Sequence, residues 1–143
     1  MDITSRTLRG FRDLKVYQLA YALAMEIFHL SKGFPVVERY ALTDQIRRSS
    51  RSVPANIAEG YRKRQYRAMF VSKVADADGE AAETQVWIGL AYDCGYISAD
   101  DHERLIAGYE EVGRMLNGIA EHPERFAPVR DLNAGAVGSK QRQ

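Results

Sequence analysis

Apolar residues recur at alternating steps of three and four positions along most of this chain, and this periodicity restricts the fold more than any other sequence feature. Four segments carry it, at about residues 11–31, 37–61, 65–94 and 99–121. A glycine closes or closely follows each of the first three segments, and the connections between segments are short. Because short connections make sequential helices antiparallel neighbours, we predict an all-α fold, an antiparallel up-down-up-down four-helix bundle.

Each segment has a stripe of residues that we predict to face the bundle interior. In the first two segments the stripes are Leu14, Tyr17, Tyr21, Ala24 and Phe28, then Leu42, Ile46, Ser49, Ser50, Val53 and Ile57. In the last two they are Phe70, Val74, Ala77, Ala81, Thr84, Ile88 and Ala91, then Leu105, Tyr109, Val112, Leu116 and Ile119. The first segment is apolar off its stripe as well, since twelve of the fifteen residues 16–30 are apolar. One bundle covers about one face of a helix, so we predict that the first helix also forms a subunit interface.

Length and composition fit one soluble domain. The chain has 143 residues, 45% hydrophobic and 27% charged, and its formal net charge of +1 by itself predicts no charged partner. We expect a flexible arm at residues 1–10, the bundle at 11–126 and a disordered tail at 127–143. The first residues lack an apolar run, and no stretch is long and apolar enough to cross a membrane. These features favour a cytoplasmic protein of bacterial type.

The second segment combines an interior stripe, outward arginines, a proline within the helix and a closing glycine. Pro54 lacks a backbone donor, so we expect it to kink the helix or restart it, with Ser52 as the cap of the restarted half. Asn56 and Glu59 can offer hydrogen bonds beside the proline, and Gly60 can end the helix. We therefore interpret Pro54, Asn56, Glu59 and Gly60 as a structural motif. The alternative is a polar site between helices.

Basic residues are concentrated between positions 47 and 73, with eight Lys and Arg against one acidic residue, whereas positions 76–103 hold eight acidic residues and no Lys or Arg. The candidate nucleic-acid-binding residues are Arg47, Arg48, Arg51, Arg62, Lys63, Arg64 and Arg67. Arginines interleaved with Tyr61 and Tyr66 suit phosphate contact and base stacking. Two structural alternatives stay open. Either Asp44 and Glu59 pair with nearby cations along the helix, or the basic block of one subunit meets the acidic block of its neighbour.

The sequence contains no evident constellation for metal, cofactor or covalent chemistry. His29, His102 and His122 are scattered, and no helix offers two ligands at convincing spacing. Cys94 is the only cysteine, which precludes an intramolecular disulfide, and we expect it to be a buried, inert thiol. Glycine motifs for phosphate or dinucleotide binding are missing. We therefore expect no metal, no cofactor and no enzymatic activity.

Several short motifs, spread from residue 11 to about residue 119, resemble the four-helix bundle family of 23S rRNA intervening-sequence proteins. They are Phe11-x-x-Leu14-x-Val16-x-Gln18, Phe34-Pro35-x-x-Glu38-x-Tyr40-x-Leu42, Gln45-Ile46-Arg47-Arg48, Ser52-Val53-Pro54-x-Asn56-Ile57-Ala58-Glu59-Gly60, Glu83-Thr84 and Gly95-Tyr96-Ile97. The resemblance implies a homopentamer of four-helix bundles, similar to the nucleic-acid-associated accessory protein of diversity-generating retroelements. Gly79-Glu80 departs from the Gly-Ser pair that the family often has. The family name records where some of the genes lie, so it implies no defined activity.

We predict a non-enzymatic oligomeric scaffold with one of two roles. It either binds RNA or other nucleic acid through its basic helix face, or serves as a protein-interaction module without nucleic acid. These roles differ in whether the arginine face stays free in the assembly. A helical-bundle ribonuclease is a further alternative, and that class places an arginine four to six residues before a histidine. None of the three histidines here has an arginine at those positions, which disfavours the ribonuclease.

Overall fold

The computed structural model describes residues 8–126, and these form four α-helices and no β-strand. Helix α1 spans Lys15–Ser31, α2 spans Leu42–Arg62, α3 spans Arg67–Asp93 and α4 spans Ala99–Glu121. Short 3₁₀ turns occupy Phe11–Asp13, Val36–Glu38 and Pro123–Phe126. Helix α2 packs on α1 and α3, and α4 packs on α3 and α1, so the four helices enclose a shared core. The predicted all-α class with four packed helices is confirmed.

The fold prediction also specified the directions of the helices, the number of subunits in the assembly and the state of the two chain ends. The up-down-up-down order of helix directions and the pentameric assembly stay predictions. The predicted tail at residues 127–143 lies outside the described residues, and of the predicted arm at 1–10 only residues 8–10 are described.

The first two helices begin later than predicted, because a separate 3₁₀ turn precedes each of them. Leu14 has an extended backbone, with φ −68° and ψ 127°, and separates the first turn from α1. At the start of α2, a carboxylate oxygen of Glu38 accepts a hydrogen bond from the Leu42 N–H at 3.2 Å. Helix α4 begins where predicted, and the Ser98 Oγ caps it by accepting a hydrogen bond from the Asp101 N–H at 3.0 Å.

The predicted interior stripes of α2, α3 and α4 are buried, but the stripe predicted for α1 is wrong beyond Leu14. The buried apolar residues within α1 are Val16, Ala20, Leu23 and Ile27, and the outward apolar residues include Tyr17, Tyr21, Ala24, Met25 and Phe28. Both faces are apolar, so periodicity could not choose between them. The bundle takes the aliphatic face because close packing favours it there. Leu23, for example, lies directly on the backbone of Gly108 in α4, where an added Cβ would meet its Cδ2 at 2.7 Å.

Two hydroxyl groups lie in the contact between α2 and α3. Ser49 Oγ and Thr84 Oγ1 are 2.8 Å apart, and both residues are fully buried. Thr84 Oγ1 is also 2.8 Å from the carbonyl oxygen of Glu80, so it keeps a hydrogen bond within its own helix. Because a buried hydroxyl without a partner costs free energy, this pair favours one register of α2 against α3.

Gly60 does not end α2, which continues to Arg62, so that part of the prediction is wrong. The residue is buried against α3 instead. A Cβ added at Gly60 would lie 3.1 Å from the Cβ of Lys73 and 3.6 Å from the carbonyl oxygen of Phe70. The missing side chain therefore allows the backbones of α2 and α3 to approach each other closely.

Substituting this glycine tests that interpretation, with Gly118 of α4 as a matched control. Both glycines lie in the last turn of a helix, and a Cβ at Gly118 would meet nothing within 4 Å. Gly118→Ala should raise the free energy of unfolding by up to about 1 kcal/mol, through helix propensity. Gly60→Ala gains the same propensity but crowds α3, so it should be less stable than Gly118→Ala by about 1 kcal/mol or more. Urea unfolding followed by circular dichroism measures both, and equal gains would contradict a close approach at Gly60.

Candidate functional site

The Pro54 motif lies within one continuous helix, so of the two predicted effects of the proline, a kink or a restart, the restart is wrong. Ser52 does not cap a new helix, because its hydroxyl donates to the carbonyl oxygen of Arg48 at 3.0 Å. The side-chain amide of Asn56 donates to the carbonyl oxygen of Ser52 at 2.9 Å. Asn56 thus bonds the helix backbone beside the proline, in agreement with a structural role.

Glu59 also acts between helices, although it lies on the outside of the bundle. Its carboxylate is 3.7 Å from the ammonium group of Lys73 in α3, and the predicted pairing with Arg62 or Lys63 is not made. Glu59 is exposed and Lys73 is partly exposed, so the contribution of the pair to stability is small. Pro54 itself is buried and lines one side of a surface groove between α1 and α2.

That groove, called the α1–α2 groove below, is a concave surface with a volume of about 540 Å³. Aromatic side chains of α1 form one wall, and small residues of α2 form the other. The lining residues include Tyr17, Tyr21 and Phe28 from α1 and Pro54, Ala55 and Ala58 from α2. Tyr21 is 53% exposed. The aromatic face of α1, which the sequence predicted to be interior, is therefore open to solvent in the isolated chain, and the subunit interface stays a prediction.

Three cations surround the Phe28 ring at one side of this groove. The Arg47 and Arg51 guanidinium carbons lie 5.1 and 5.8 Å from the ring centroid, and the Lys32 ammonium nitrogen lies 4.7 Å from it. Arg47 is partly buried, and its Nε donates to the hydroxyl of Ser31 at 2.7 Å. We call Lys32, Arg47 and Arg51 the Phe28 cation cluster. Sequence reasoning missed Lys32, which lies just past the end of α1 and outside the basic block.

Arg48 points away from that cluster, toward α3. It forms ion pairs with Glu83 and Glu80, the second at 3.7 Å, and Glu83 also accepts a hydrogen bond from the indole N–H of Trp87 at 3.1 Å. The Arg48 charge is thus neutralised within the bundle, although the partners are not the Asp44 expected from helix spacing. This residue connects α2 to α3.

The four remaining basic candidates lie at the turn between α2 and α3. Arg64 is partly buried, with its guanidinium carbon 3.9 Å from the Tyr61 ring centroid and its Nη1 donating to the Tyr61 carbonyl oxygen at 2.9 Å. Arg62 and Arg67 are exposed and Lys63 is partly exposed. Among residues 8–126, no carboxylate lies within 4.0 Å of the cationic groups of these last three.

The two tyrosines near this turn differ in accessibility. Tyr61 is only 3% exposed, so the prediction that it could stack on a base is wrong. Tyr66 is 55% exposed. The carboxyl group of Glu124 has a pKa below its ordinary value, chiefly because it accepts a hydrogen bond from its own backbone N–H, with smaller contributions from His122 and Arg67. Arg67 therefore has an acidic neighbour, though not a direct ion pair.

Other reactive side chains are dispersed. Cys94 is exposed, which contradicts the predicted burial, because it follows the last turn of α3 rather than facing the core. The Tyr96 hydroxyl donates to Glu38 at 2.8 Å, and the pKa of Tyr96 is raised to about 12, chiefly by this bond. In the described part of the chain, no group of three His, Cys, Asp or Glu residues could hold a metal ion. None of its helices is long and apolar enough to cross a membrane.

Fold and sequence together place the chain in a known class. It is an all-α protein of four packed helices with a proline-containing second helix. It belongs to the family of 23S rRNA-intervening sequence proteins, whose family model matches residues 12–118. A solved structure from Bacteroides thetaiotaomicron, described as a protein with unknown function from the S23 ribosomal protein family, is 32% identical with a TM-score of 0.67, covering 73% of this chain and 97% of that one. No curated protein matches the chain.

The structural interpretation of the Pro54 motif can be tested by two substitutions. Asn56→Ala should lower the free energy of unfolding by about 1 kcal/mol, because it removes the hydrogen bond to Ser52. Glu59→Ala should lower it by less, at most about 0.5 kcal/mol, because its ion pair is exposed. Asn117→Ala on the exposed side of α4 is the control for the change in helix propensity. Urea midpoints that do not change for Asn56→Ala, alongside a lost binding activity, would instead indicate a functional polar site.

Proposed function

We propose that this protein is a non-enzymatic, self-associating scaffold that binds nucleic acid through the turn between α2 and α3. The observation that carries the binding proposal is the set of exposed or partly exposed cations there, Arg62, Lys63 and Arg67, without a direct carboxylate partner in residues 8–126. Phosphate groups gain most from cations that are not already neutralised. Tyr66 lies among them and exposes more than half of its surface, which suits stacking on an unpaired base.

The other basic candidates contribute less to this surface. Arg48 is neutralised by Glu80 and Glu83, and Arg64 lies on the Tyr61 ring. Arg47 and Arg51 lie against Phe28, on the side of α2 that faces α1. The nucleic-acid surface proposed here is therefore smaller than the whole basic block of the sequence. Contacts of this kind bind the phosphate backbone and give little sequence selectivity.

Self-association compensates for the low net charge of a single chain. A formal net charge of +1 gives weak attraction for a polyanion, but an oligomer presents several copies of the turn to one nucleic acid and gains avidity. The open apolar face of α1 supports such an assembly. We propose five copies, the number that the family resemblance implies, with adjacent helices antiparallel, and a cytoplasmic location.

The nucleic-acid proposal predicts a selective decrease in RNA binding. Changing Arg62, Lys63 and Arg67 together to Gln should weaken binding to RNA at low salt. It should also reduce the slope of log K against log salt by about 0.7 for each phosphate group that the protein no longer neutralises. A control triple, Lys15, Arg39 and Arg114 to Gln, removes the same charge from exposed positions elsewhere. Fluorescence anisotropy with labelled RNA measures both.

Three outcomes of this titration have different meanings. A decrease confined to the turn variant supports the proposal. Equal decreases in both triples would show a response to net charge alone, and the turn would not be the site. If the wild-type protein binds no RNA at low salt, nucleic-acid binding is wrong, and the chain is better described as a protein-interaction module.

The assembly proposal predicts that multi-angle light scattering gives several times the 16.1 kDa mass of one chain at micromolar concentration. A monomer would refute self-association, and a trimer or hexamer would refute only the number five. Leu23 and Ile27 lie outside the interior stripe predicted for α1, but the structure buries both in the core. Asp at either position should therefore unfold the bundle, and the outward Tyr21 is the appropriate residue to change.

A further inference from the structure

A second apolar surface lies on the outside of α3. Ala75, Gly79, Ala82, Val86 and Leu90 follow one another at steps of three and four residues, and all five are exposed. Val86 and Leu90, its two largest members, are 58% and 44% exposed, and with the three small residues they form a contiguous apolar patch. We call these five residues the α3 outer stripe. The buried stripe of α3 contains none of them, so the outer stripe is available to a partner.

The α3 outer stripe and the α1–α2 groove differ in shape in a complementary way. The groove is concave, with large aromatic side chains along α1 and small residues along α2. The stripe is convex and has small residues, Ala75, Gly79 and Ala82, over its central turns. A Cβ at Gly79 would meet nothing within 4 Å, so nothing in the described chain covers this part of the helix. A helix with so little side-chain bulk can enter a groove between two others at a short interaxial distance.

The charges beside the two surfaces are opposite. The groove is bordered by the Phe28 cation cluster, and within residues 8–126 none of its three members forms an ion pair. At helical spacing, Asp76 and Asp93 fall beside the α3 outer stripe, and both are exposed. No ion pair in the described part of the chain involves either carboxylate.

These charges favour contact between two different surfaces of neighbouring copies over contact between two identical ones. Groove against groove would bring the cations of one copy to those of the other, and stripe against stripe would bring carboxylates together. Like charges across an interface are strongly unfavourable. We propose that the α1–α2 groove is the binding site for the α3 outer stripe of a second copy of this chain. This proposal rests on the self-association proposed above and names the two surfaces that perform it.

A contact between two different surfaces of one chain has a geometric consequence. Each copy offers one groove and one stripe, so the contact repeats from copy to copy and ends only when the assembly closes into a ring. Arg47 and Arg51 then belong to the interface between copies, where the partner's carboxylates neutralise them. The turn with Arg62, Lys63 and Arg67 stays outside the contact and is free to bind nucleic acid.

Two complementary variants test the proposal. Tyr21→Lys adds a cation to the groove and leaves the stripe intact, whereas Val86→Lys adds a cation to the stripe and leaves the groove intact. Both residues are exposed, so the folded chain should tolerate each change, which circular dichroism verifies. Each variant alone should lose the high mass of the wild type in light scattering. Ala22→Lys, on an exposed side of α1 outside the groove, is the control and should keep that mass.

The mixture of the two variants gives the deciding result. An equimolar mixture has one intact groove on the Val86→Lys chain and one intact stripe on the Tyr21→Lys chain. It should form a heterodimer of twice the 16.1 kDa chain mass and nothing larger, which native mass spectrometry resolves. If the variants stay monomeric on mixing, or if either alone assembles like the wild type, the pairing of groove and stripe is wrong.

The same measurements separate this inference from the proposed function. A wild-type monomer would refute self-association and with it this inference. A wild-type oligomer whose variants form no heterodimer would refute only the assignment of the two surfaces. If Tyr21→Lys keeps the wild-type mass but alters RNA binding, the groove binds nucleic acid rather than a second copy, and the inference is again wrong.

Discussion

The close packing of α2 against α3 is the contact on which the rest of the molecule depends. Gly60 favours this contact, because a Cβ there would crowd the Cβ of Lys73 at 3.1 Å. The contact also aligns two buried hydroxyls, Ser49 and Thr84, at hydrogen-bonding distance. Once this contact is made, the rotation of α2 about its axis is determined, and so is the direction of every side chain along it.

That rotation divides a run of arginines which is continuous in sequence. Arg48 faces α3 and is neutralised there, whereas Arg47 and Arg51 face α1 and lie against Phe28. Arg62 and the cations of the following turn lie apart from both groups, exposed or partly exposed and without a direct carboxylate partner in residues 8–126. A basic block therefore becomes three different structures: a link between helices, the border of a groove and an exposed group of cations at the turn. The proposed division between assembly and nucleic-acid binding follows from this separation.

The composition of α1 explains why one bundle cannot cover its apolar surface. Its aliphatic side chains fill the core, and its aromatic side chains form the wall of an open groove. Small residues suit α3 for contact on both sides, since Ala77 and Ala81 pack inward while Gly79 and Ala82 are exposed. In the proposed assembly, the exposed face of α1 in one copy packs against the exposed face of α3 in the next copy. Cations border the first surface and carboxylates border the second, so two surfaces of the same kind repel each other.

The sequence by itself determined the number of helices, the start of α4 at its serine cap and the interior stripes of α2, α3 and α4. Each of these features depends on local periodicity or on chemistry within a few residues, so it can be predicted without knowing which helices pack together. It could also indicate the candidate cations and the structural use of Asn56. The sequence could not predict which cations lie together in space, because Lys32 and Arg51 are far apart in sequence and meet only at Phe28.

Only the tertiary structure decided which face of α1 is buried, what Gly60 contributes to the packing of α2 on α3, and which arginines lack a carboxylate partner. The physical reason is the same in each case. Two apolar faces of one helix have the same period, so the choice between them depends on the shape of the neighbouring helices. A glycine that ends a helix and a glycine at a helix crossing look alike in sequence, because the Lys73 that makes the difference lies on another helix. The ion pairs of Arg48 likewise form with residues more than thirty positions away, which no spacing rule along one helix can supply.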